Sequence, residues 1–204
     1  FGEEYTLVAV ADYVLAHTPG NTVSNLSSTR ALQDVTVRLG GAYNASAVGE
    51  VNVVHKMKET EAVIGGEGNG GIIYPELHYG RDALVGIALF LTHLAKSGQS
   101  ISVLRGTYPS YFISKNKVIL TPEMNIDALL VDVKKRYKKQ PHNTIDGLKI
   151  EFENDWVHLR KSNTEPIVRI YAEGSSETVA ENLAKKIIGD IKEYCVGVEN
   201  ILSK

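Results

Sequence analysis

Ala62-Val63-Ile64-Gly65-Gly66-Glu67-Gly68-Asn69-Gly70-Gly71 is a short apolar run that breaks into glycine. Its first three residues read as a buried strand, and the glycines behind them as the loop that this strand feeds. What lies on either side sets the fold. Upstream, residues 50–58 read as a short helix, 42–47 as a strand and 22–26 as another strand. Residues 28–39 read as a helix with Ser28 as its N-cap and Gly40-Gly41 as its stop. Residues 3–16 place Leu7, Val10, Ala11, Val14 and Leu15 at helical spacing. Downstream, residues 82–96 form a helix with Leu84, Ile87, Ala88, Leu91 and Leu94 on one face. Strand and helix in alternation predict an α/β three-layer domain with a mixed, mainly parallel sheet over residues 1–107.

The second half has a different grammar. Gly106-Thr107-Tyr108-Pro109 punctuates the chain, and residues 108–120 read as a linker carrying a connecting strand. Thr121-Pro122-Glu123 opens a helix with a cap, a proline at its first position and an acid in its first turn. The apolar face of that helix is Ile126, Leu129, Leu130, Val133 and Tyr137. Three strand-like runs follow, over residues 148–152, 156–161 and 167–172, and then a helix over 176–194. Residues 121–204 thus predict a small α+β domain with an antiparallel sheet and two helices.

Composition excludes several classes. The 204 residues carry 22 Lys plus Arg against 24 Asp plus Glu, so no strong global field marks a nucleic-acid coat or an acidic tail. The basic run Lys134, Lys135, Arg136, Lys138 and Lys139 reads more simply as a solvated helix C-terminus than as a nucleic-acid patch. No apolar run approaches the ~20 residues that a bilayer demands. The single Cys195 excludes an intrachain disulfide framework and a Cys-rich zinc module, and it fits a reducing, cytoplasmic setting. The six histidines form no H-x-x-x-H pair, so no metal ligands are assigned. The chain opens Phe1-Gly2-Glu3-Glu4, with no initiator Met and no leader pattern, and is read as a piece of a longer chain or a processed product.

Two loops carry chemistry. Gly66, Gly68 and Gly71 satisfy G-x-G-x-x-G, but Ile72-Ile73-Tyr74-Pro75 does not start the helix a dinucleotide site needs, and Glu67 would repel a pyrophosphate. Glycines admit a ligand close to the backbone, and Glu67 and Asn69 offer an acceptor and a donor–acceptor pair suited to sugar hydroxyls. The plainer alternative is a strained turn with incidental polar residues. The second loop is Arg160-Lys161-Ser162-Asn163-Thr164-Glu165-Pro166, with Arg169 following on the next strand. Three short donors in a row beside arginine suit a phosphate dianion. Its plainer alternative is a polar hairpin turn.

Together, in this order and spacing, the two loops resemble the C-terminal half, domains 3 and 4, of the α-D-phosphohexomutase superfamily, which includes phosphoglucomutase and phosphomannomutase. Ser27-Ser28-Thr29-Arg30-Ala31-Leu32 and Val48-Gly49-Glu50-Val51-Asn52-Val53 resemble parts of its third domain. The resemblance implies that Glu67, Gly68, Asn69 and Gly70 bind the sugar. It implies that Arg160, Ser162, Asn163, Thr164 and Arg169 hold the phosphate that is not being transferred. Glu50, His78 and Arg81 are candidate cleft residues. Asn69 stands where Ser is common, Gly71 where many members carry His, and Glu50 where some phosphomannomutases place His; these departures bear on sugar selectivity. The implied reaction interconverts hexose 1-phosphate and hexose 6-phosphate through a phosphoserine and a hexose 1,6-bisphosphate. It is an intramolecular phosphotransfer, an isomerase activity in carbohydrate metabolism, with Mg2+ in the full-length parent. The phosphoserine loop and the magnesium loop are absent from this sequence, so no catalytic residue is assigned and this chain alone is expected to be inactive. The implied partners are a small phosphosugar and the N-terminal domains of the same chain, with no nucleic acid and no membrane. Phosphoglucosamine mutase is the alternative within the family; a non-catalytic phosphosugar-binding module is the alternative outside it.

Overall fold

A computed structural model describes residues 1–119, 124–162 and 165–202, with side chains as far as residue 196. The chain divides into two compact units, Phe1–Ser110 and Tyr111–Lys204.

The first unit runs α1 (Glu3–His17), β1 (Asn21–Asn25), α2 (Ala31–Arg38), β2 (Tyr43–Ser46), α3 (Glu50–Glu59), β3 (Ala62–Glu67), β4 (Gly71–Ile73), α4 (Ala83–Ser97) and α5 (Ile101–Gly106). Its sheet has the order β2-β1-β3-β4. The β2-β1 and β1-β3 pairs are parallel, and β4 closes the edge antiparallel to β3. Parallel neighbours need crossover helices, which bury both faces of the sheet. Met57 of α3 abuts Gly65 and Leu7 of α1 approaches Gly66, so consecutive strand residues meet helices on opposite faces. Val53 and Met57 of α3 pack with Val23, Ala62 and Ile73. The mixed, mainly parallel α/β reading of this unit therefore holds.

Three local readings change. Ser28 does not cap a helix: α2 starts at Ala31 after Arg30, with no side-chain cap, and the Ser28 hydroxyl is spent on other partners described below. The strand beginning at Ala62 does not break at Gly65 but continues through Glu67, because glycine lets Met57, Leu7 and the Gly71 carbonyl close in on it. Helix α4 forms where expected, with Asp82 accepting from Val85 N at 3.0 Å as its N-cap. Its expected apolar face, however, leaves Leu84, Ile87 and Leu91 exposed, and the helix docks on β4 through Gly86, which lies against Ile72.

The second unit runs β5 (Phe112–Ile119), α6 (Ile126–Arg136), β6 (His142–Asn143), β7 (Leu148–Glu151), β8 (Trp156–Lys161), β9 (Ile167–Gly174) and α7 (Glu177–Leu202). Its five-stranded sheet is antiparallel throughout, in the order β5-β9-β8-β7-β6. The stretch read as a linker with a connecting strand supplies β5, paired with β9 along all its length. The Thr121-Pro122-Glu123 helix start lies outside the described residues; among those described, Asn125 caps α6 by accepting from Ala128 N at 3.1 Å. One face of the sheet packs on both helices: Leu148, Ile150, Val157, Leu159, Val168, Ile170 and Ala172 meet Leu129, Val133, Ala184, Ile187 and Ile191. Arg136 ties the end of α6 to α7 through Glu193 at 3.0 Å and Asp190 at 3.6 Å, so the central cation of the basic run is structural.

Candidate functional site

In the first unit the polar residues gather at the C-terminal ends of the parallel strands, where open α/β sheets place their ligands. Glu67 ends β3 and is buried. Its Oε1 accepts from Asn25 Nδ2 at 2.9 Å, at the end of β1, and from Gly49 N at 3.2 Å, ahead of α3. Its Oε2 faces the Arg81 guanidinium, 4.0 Å from Nη1. Arg81 is held in turn by Glu50, which accepts from Arg81 N at 3.1 Å and from Nε at 2.7 Å. Those two donors, backbone first, hold the Glu50 carboxyl below the usual carboxylate range. The three candidates Glu50, Arg81 and Glu67 therefore form one carboxylate–guanidinium–carboxylate chain. His78 pairs with Asp82 at 3.1 Å, so its first partner is the α4 cap.

The glycine loop is stapled from beneath. Ser28 Oγ accepts from Gly68 N at 2.9 Å and donates to Asn25 Oδ1 at 3.2 Å. A Cβ at Gly68 would strike the Glu4 carboxylate, which itself accepts from Thr29 N at 3.0 Å. Gly70 N donates to Glu67 O at 3.2 Å, and Asn69 Oδ1 accepts from Gly71 N at 3.1 Å, which leaves the exposed Asn69 amide on the loop's rim. A buried carboxylate with one oxygen anchored and the other beside a guanidinium, under a loop of bare backbone, is chemically equipped to accept from vicinal hydroxyls.

In the second unit, β8 and β9 form the hairpin that carries the other loop. Buried Ser162 follows β8, and its N–H donates to Ile167 O at 3.0 Å. Asn163 and Thr164 lie outside the described residues. Arg160 and Arg169 are cross-strand partners, so their side chains rise side by side from the sheet face opposite the helices. Asp146 Oδ2 sits 2.8 Å from Arg160 Nε, off the N–H direction, and that buried Nε–H makes no hydrogen bond. The Asp146 loop is fixed by β8 itself. His158 Nε2–H donates to the Asp146 carbonyl at 2.7 Å. Gly147, with φ +71°, lies so close to the Leu159 carbonyl that no Cβ fits. Burial pulls the His158 pKa down to about 4, so the imidazole is neutral at pH 7.

Among the described residues, no group of three or more His, Cys, Asp or Glu comes together to hold a metal ion. A separate cleft lined by Lys58, Glu61, Tyr74 and Tyr79 opens near Ala62 and Val63, at the other end of β3 from Glu67.

The alpha/beta/alpha domain III of phosphoglucomutase/phosphomannomutase matches residues 2–111, and the C-terminal domain of the same enzymes matches residues 117–189. The chain belongs to the phosphoglucomutase/phosphomannomutase family. It is 35% identical to a phosphoglucomutase/phosphomannomutase of Thermococcus kodakarensis over 94% of this chain and 42% of that protein. It is 34% identical to a phosphoglucosamine/phosphogalactosamine mutase of Sulfurisphaera tokodaii over 81% of this chain and 37% of that one. A crystal structure of a phosphoglucomutase/phosphomannomutase family protein from Burkholderia thailandensis matches with a TM-score of 0.78 at 27% identity, over 93% of this chain and 41% of its own. The chain thus spans about two fifths of the length of the relatives it matches.

In this phosphoglucomutase/phosphomannomutase family chain, Ser28 reads from sequence only as a helix cap and as part of a family-like stretch, and Asn25, Glu4 and Asp146 have no role there, yet these four residues hold the site in place. Asn25 and Ser28 anchor Glu67 and Gly68, Glu4 accepts from Thr29 N hard against Gly68, and Asp146 meets both His158 and Arg160. Asn25 carried one signal, a polar side chain at the end of a buried strand.

Proposed function

We propose that the first unit reads the sugar, with Glu67 and the backbone of Gly68, Asn69 and Gly70, and that the second unit grips the phosphate, with Arg160, Ser162, Asn163, Thr164 and Arg169. In a full-length, cytoplasmic phosphohexomutase these loops serve the interconversion of hexose 1-phosphate and hexose 6-phosphate through a phosphoserine and a hexose 1,6-bisphosphate. The observation that carries this is the direct opposition of Arg160 and Arg169 beside the Ser162 turn. Like charges facing each other across strands are unfavourable by themselves, and a phosphate dianion between them reverses the sign.

The residues have distinct duties. Arg160, its Nε 2.8 Å from Asp146 Oδ2, supplies a guanidinium to the phosphate. Arg169 adds the facing charge, and Ser162 the short donor. Glu67 Oε2 accepts hydrogen bonds from sugar hydroxyls while Oε1 stays tied to Asn25 and Gly49. Phosphoryl transfer rests on positioning and charge neutralisation, and this chain supplies the positioning. Mg2+ would neutralise the transferring phosphate in the full-length enzyme, but the described residues offer no cluster that fits it, so no step through the metal is derived.

A second reading, an amino-sugar substrate, is favoured by the relative from Sulfurisphaera tokodaii, named a phosphoglucosamine/phosphogalactosamine mutase. Turnover of glucose 1-phosphate, mannose 1-phosphate and glucosamine 6-phosphate by the full-length protein and by this chain tests both. The full-length protein is expected to turn over at least one of them, its preference naming the sugar, and this chain alone none. Turnover by the pure chain, or none by a full-length protein that binds all three, would overturn the assignment.

A further inference from the structure

The pairing register carries the cationic row one strand beyond the loop. Arg160 of β8 faces Arg169 of β9, and Arg169 faces Lys117 of β5. Directly opposed residues on an antiparallel sheet point to the same face, and neighbouring strands lie ~4.8 Å apart. Three cations therefore stand in line within about two strand spacings. Their face is fixed independently. Val118 and Val168, the next residues along β5 and β9, pack into the helix-side core, so Lys117 and Arg169 rise from the other side, and Lys117 is exposed. One register step away on that same side, Lys115 Nζ lies over the Tyr171 ring, 5.8 Å from its centroid. The lysine of the next row is thus engaged with an aromatic ring, whereas Lys117 has an arginine as its neighbour. Among the described residues Arg160 has Asp146 as an ion-pair partner, while none is paired with Arg169 or Lys117.

A row of three like charges is unfavourable in the empty protein. It becomes favourable only when an anion sits over it, and the more so the higher the anion's charge. We propose that Lys117 is the third cation of the phosphate subsite, a phosphate-binding residue contributed by the edge strand β5 to the ester grip of Arg160 and Arg169. The inference rests on the assignment of those two arginines. A lysine ammonium acts as a point charge rather than a planar fork. Lys117 therefore adds affinity without reading the sugar: it strengthens binding of any phosphate monoester dianion by the same factor, and salt screens that factor.

The test is a titration of the chain with inorganic phosphate, followed at the backbone amide of Ser162, in wild type and in Lys117→Gln, Lys117→Arg, Lys115→Gln and Arg160→Ala. At low ionic strength Lys117→Gln is expected to bind about three- to tenfold more weakly, the scale of one charge at partly screened separation. Lys117→Arg is expected to stay near wild type, and Lys115→Gln to change less than about twofold, being two residues removed on the same face. At about 1 M salt, where the screening length falls to about 3 Å, the Lys117→Gln deficit should close. Wild-type affinity in Lys117→Gln, with Arg160→Ala impaired, would overturn the role of Lys117 and leave the phosphate loop standing. Equal losses in Lys115→Gln and Lys117→Gln would replace a defined residue by a diffuse field and overturn it too. Unimpaired binding in Arg160→Ala would overturn the assignment of the arginines themselves.

Discussion

Replacing His158 by Gln should remove a specific acid sensitivity of folding. His158 sits on β8, 1% exposed, with Lys149, Asp146 and Arg160 around it. Burial is the main reason its pKa falls from an ordinary 6.5 to about 4; the Lys149 and Arg160 charges push the same way, and the hydrogen bond to the Asp146 carbonyl opposes them. The unfolded chain takes up this proton near 6.5 and the folded chain does not until near 4. Stability from the neutral imidazole is therefore complete above 6.5 and is lost as the pH falls through that window. A gap of about 2 to 3 pH units caps the effect at about 3 kcal/mol, and about 2 kcal/mol of it is lost between about pH 7 and about pH 5. Urea unfolding at those two pH values, in wild type and His158→Gln, measures it. Gln keeps an N–H for the Asp146 carbonyl but does not titrate. Wild type should lose about 2 kcal/mol more than the variant over the interval. Equal losses would refute the claim that a buried neutral His158 supports the Asp146 loop.

Arg160→Ala should weaken inorganic phosphate and every phosphosugar alike, by about 1.5–3 kcal/mol for each charge-assisted hydrogen bond removed; calorimetry showing an effect on one sugar only would contradict the assignment. Glu67→Gln should change the ranking of glucose, mannose and glucosamine phosphates and leave inorganic phosphate binding nearly intact, as competition titrations would show; an equal collapse of phosphate binding would make Glu67 a purely structural residue. Gly147→Ala should destabilise the second unit by at least about 1–3 kcal/mol, because its φ of +71° and the adjacent Leu159 carbonyl both resist a Cβ; an unchanged melting temperature would refute this.

The elements legible in the sequence are those whose signal is local. Helices α3 and α6 bury positions at helical spacing, α1 is an apolar helix buried through the continuous run Leu7 to Ala11, and β8 and β9 show β-branched and aromatic runs on either side of a polar turn. The two loops are legible as candidates, because glycines at the end of a strand and arginine beside short donors each suggest chemistry from neighbouring residues. What stayed hidden depends on distance along the chain. A serine at the start of a helical pattern reads as a cap, yet α2 begins three residues later and the Ser28 hydroxyl serves Gly68, forty residues on. Gly65 and Gly66 read as a break, yet they continue β3 because side chains and backbone from elsewhere need the space of a missing Cβ. Asp146-Gly147 reads locally as no more than a turn; the His158 hydrogen bond to the Asp146 carbonyl and the tight approach of Gly147 to β8 bring Asp146 to Arg160. The apolar face of α4 has correct periodicity and still lies exposed at Leu84, Ile87 and Leu91, since spacing groups residues on a face without saying what covers it.

The central claim is a division of labour between two loops, and a residue-resolved NMR titration of this chain addresses it most directly. Inorganic phosphate should shift the amides around Arg160, Ser162 and Arg169 and leave Glu67 to Gly71 still. Glucose 1-phosphate or glucosamine 6-phosphate should shift both sets, with the larger response at Glu67 to Gly71 marking the preferred sugar. If neither inorganic phosphate nor any of the sugar phosphates moves the amides between Arg160 and Arg169, the phosphate grip assigned to this hairpin is wrong.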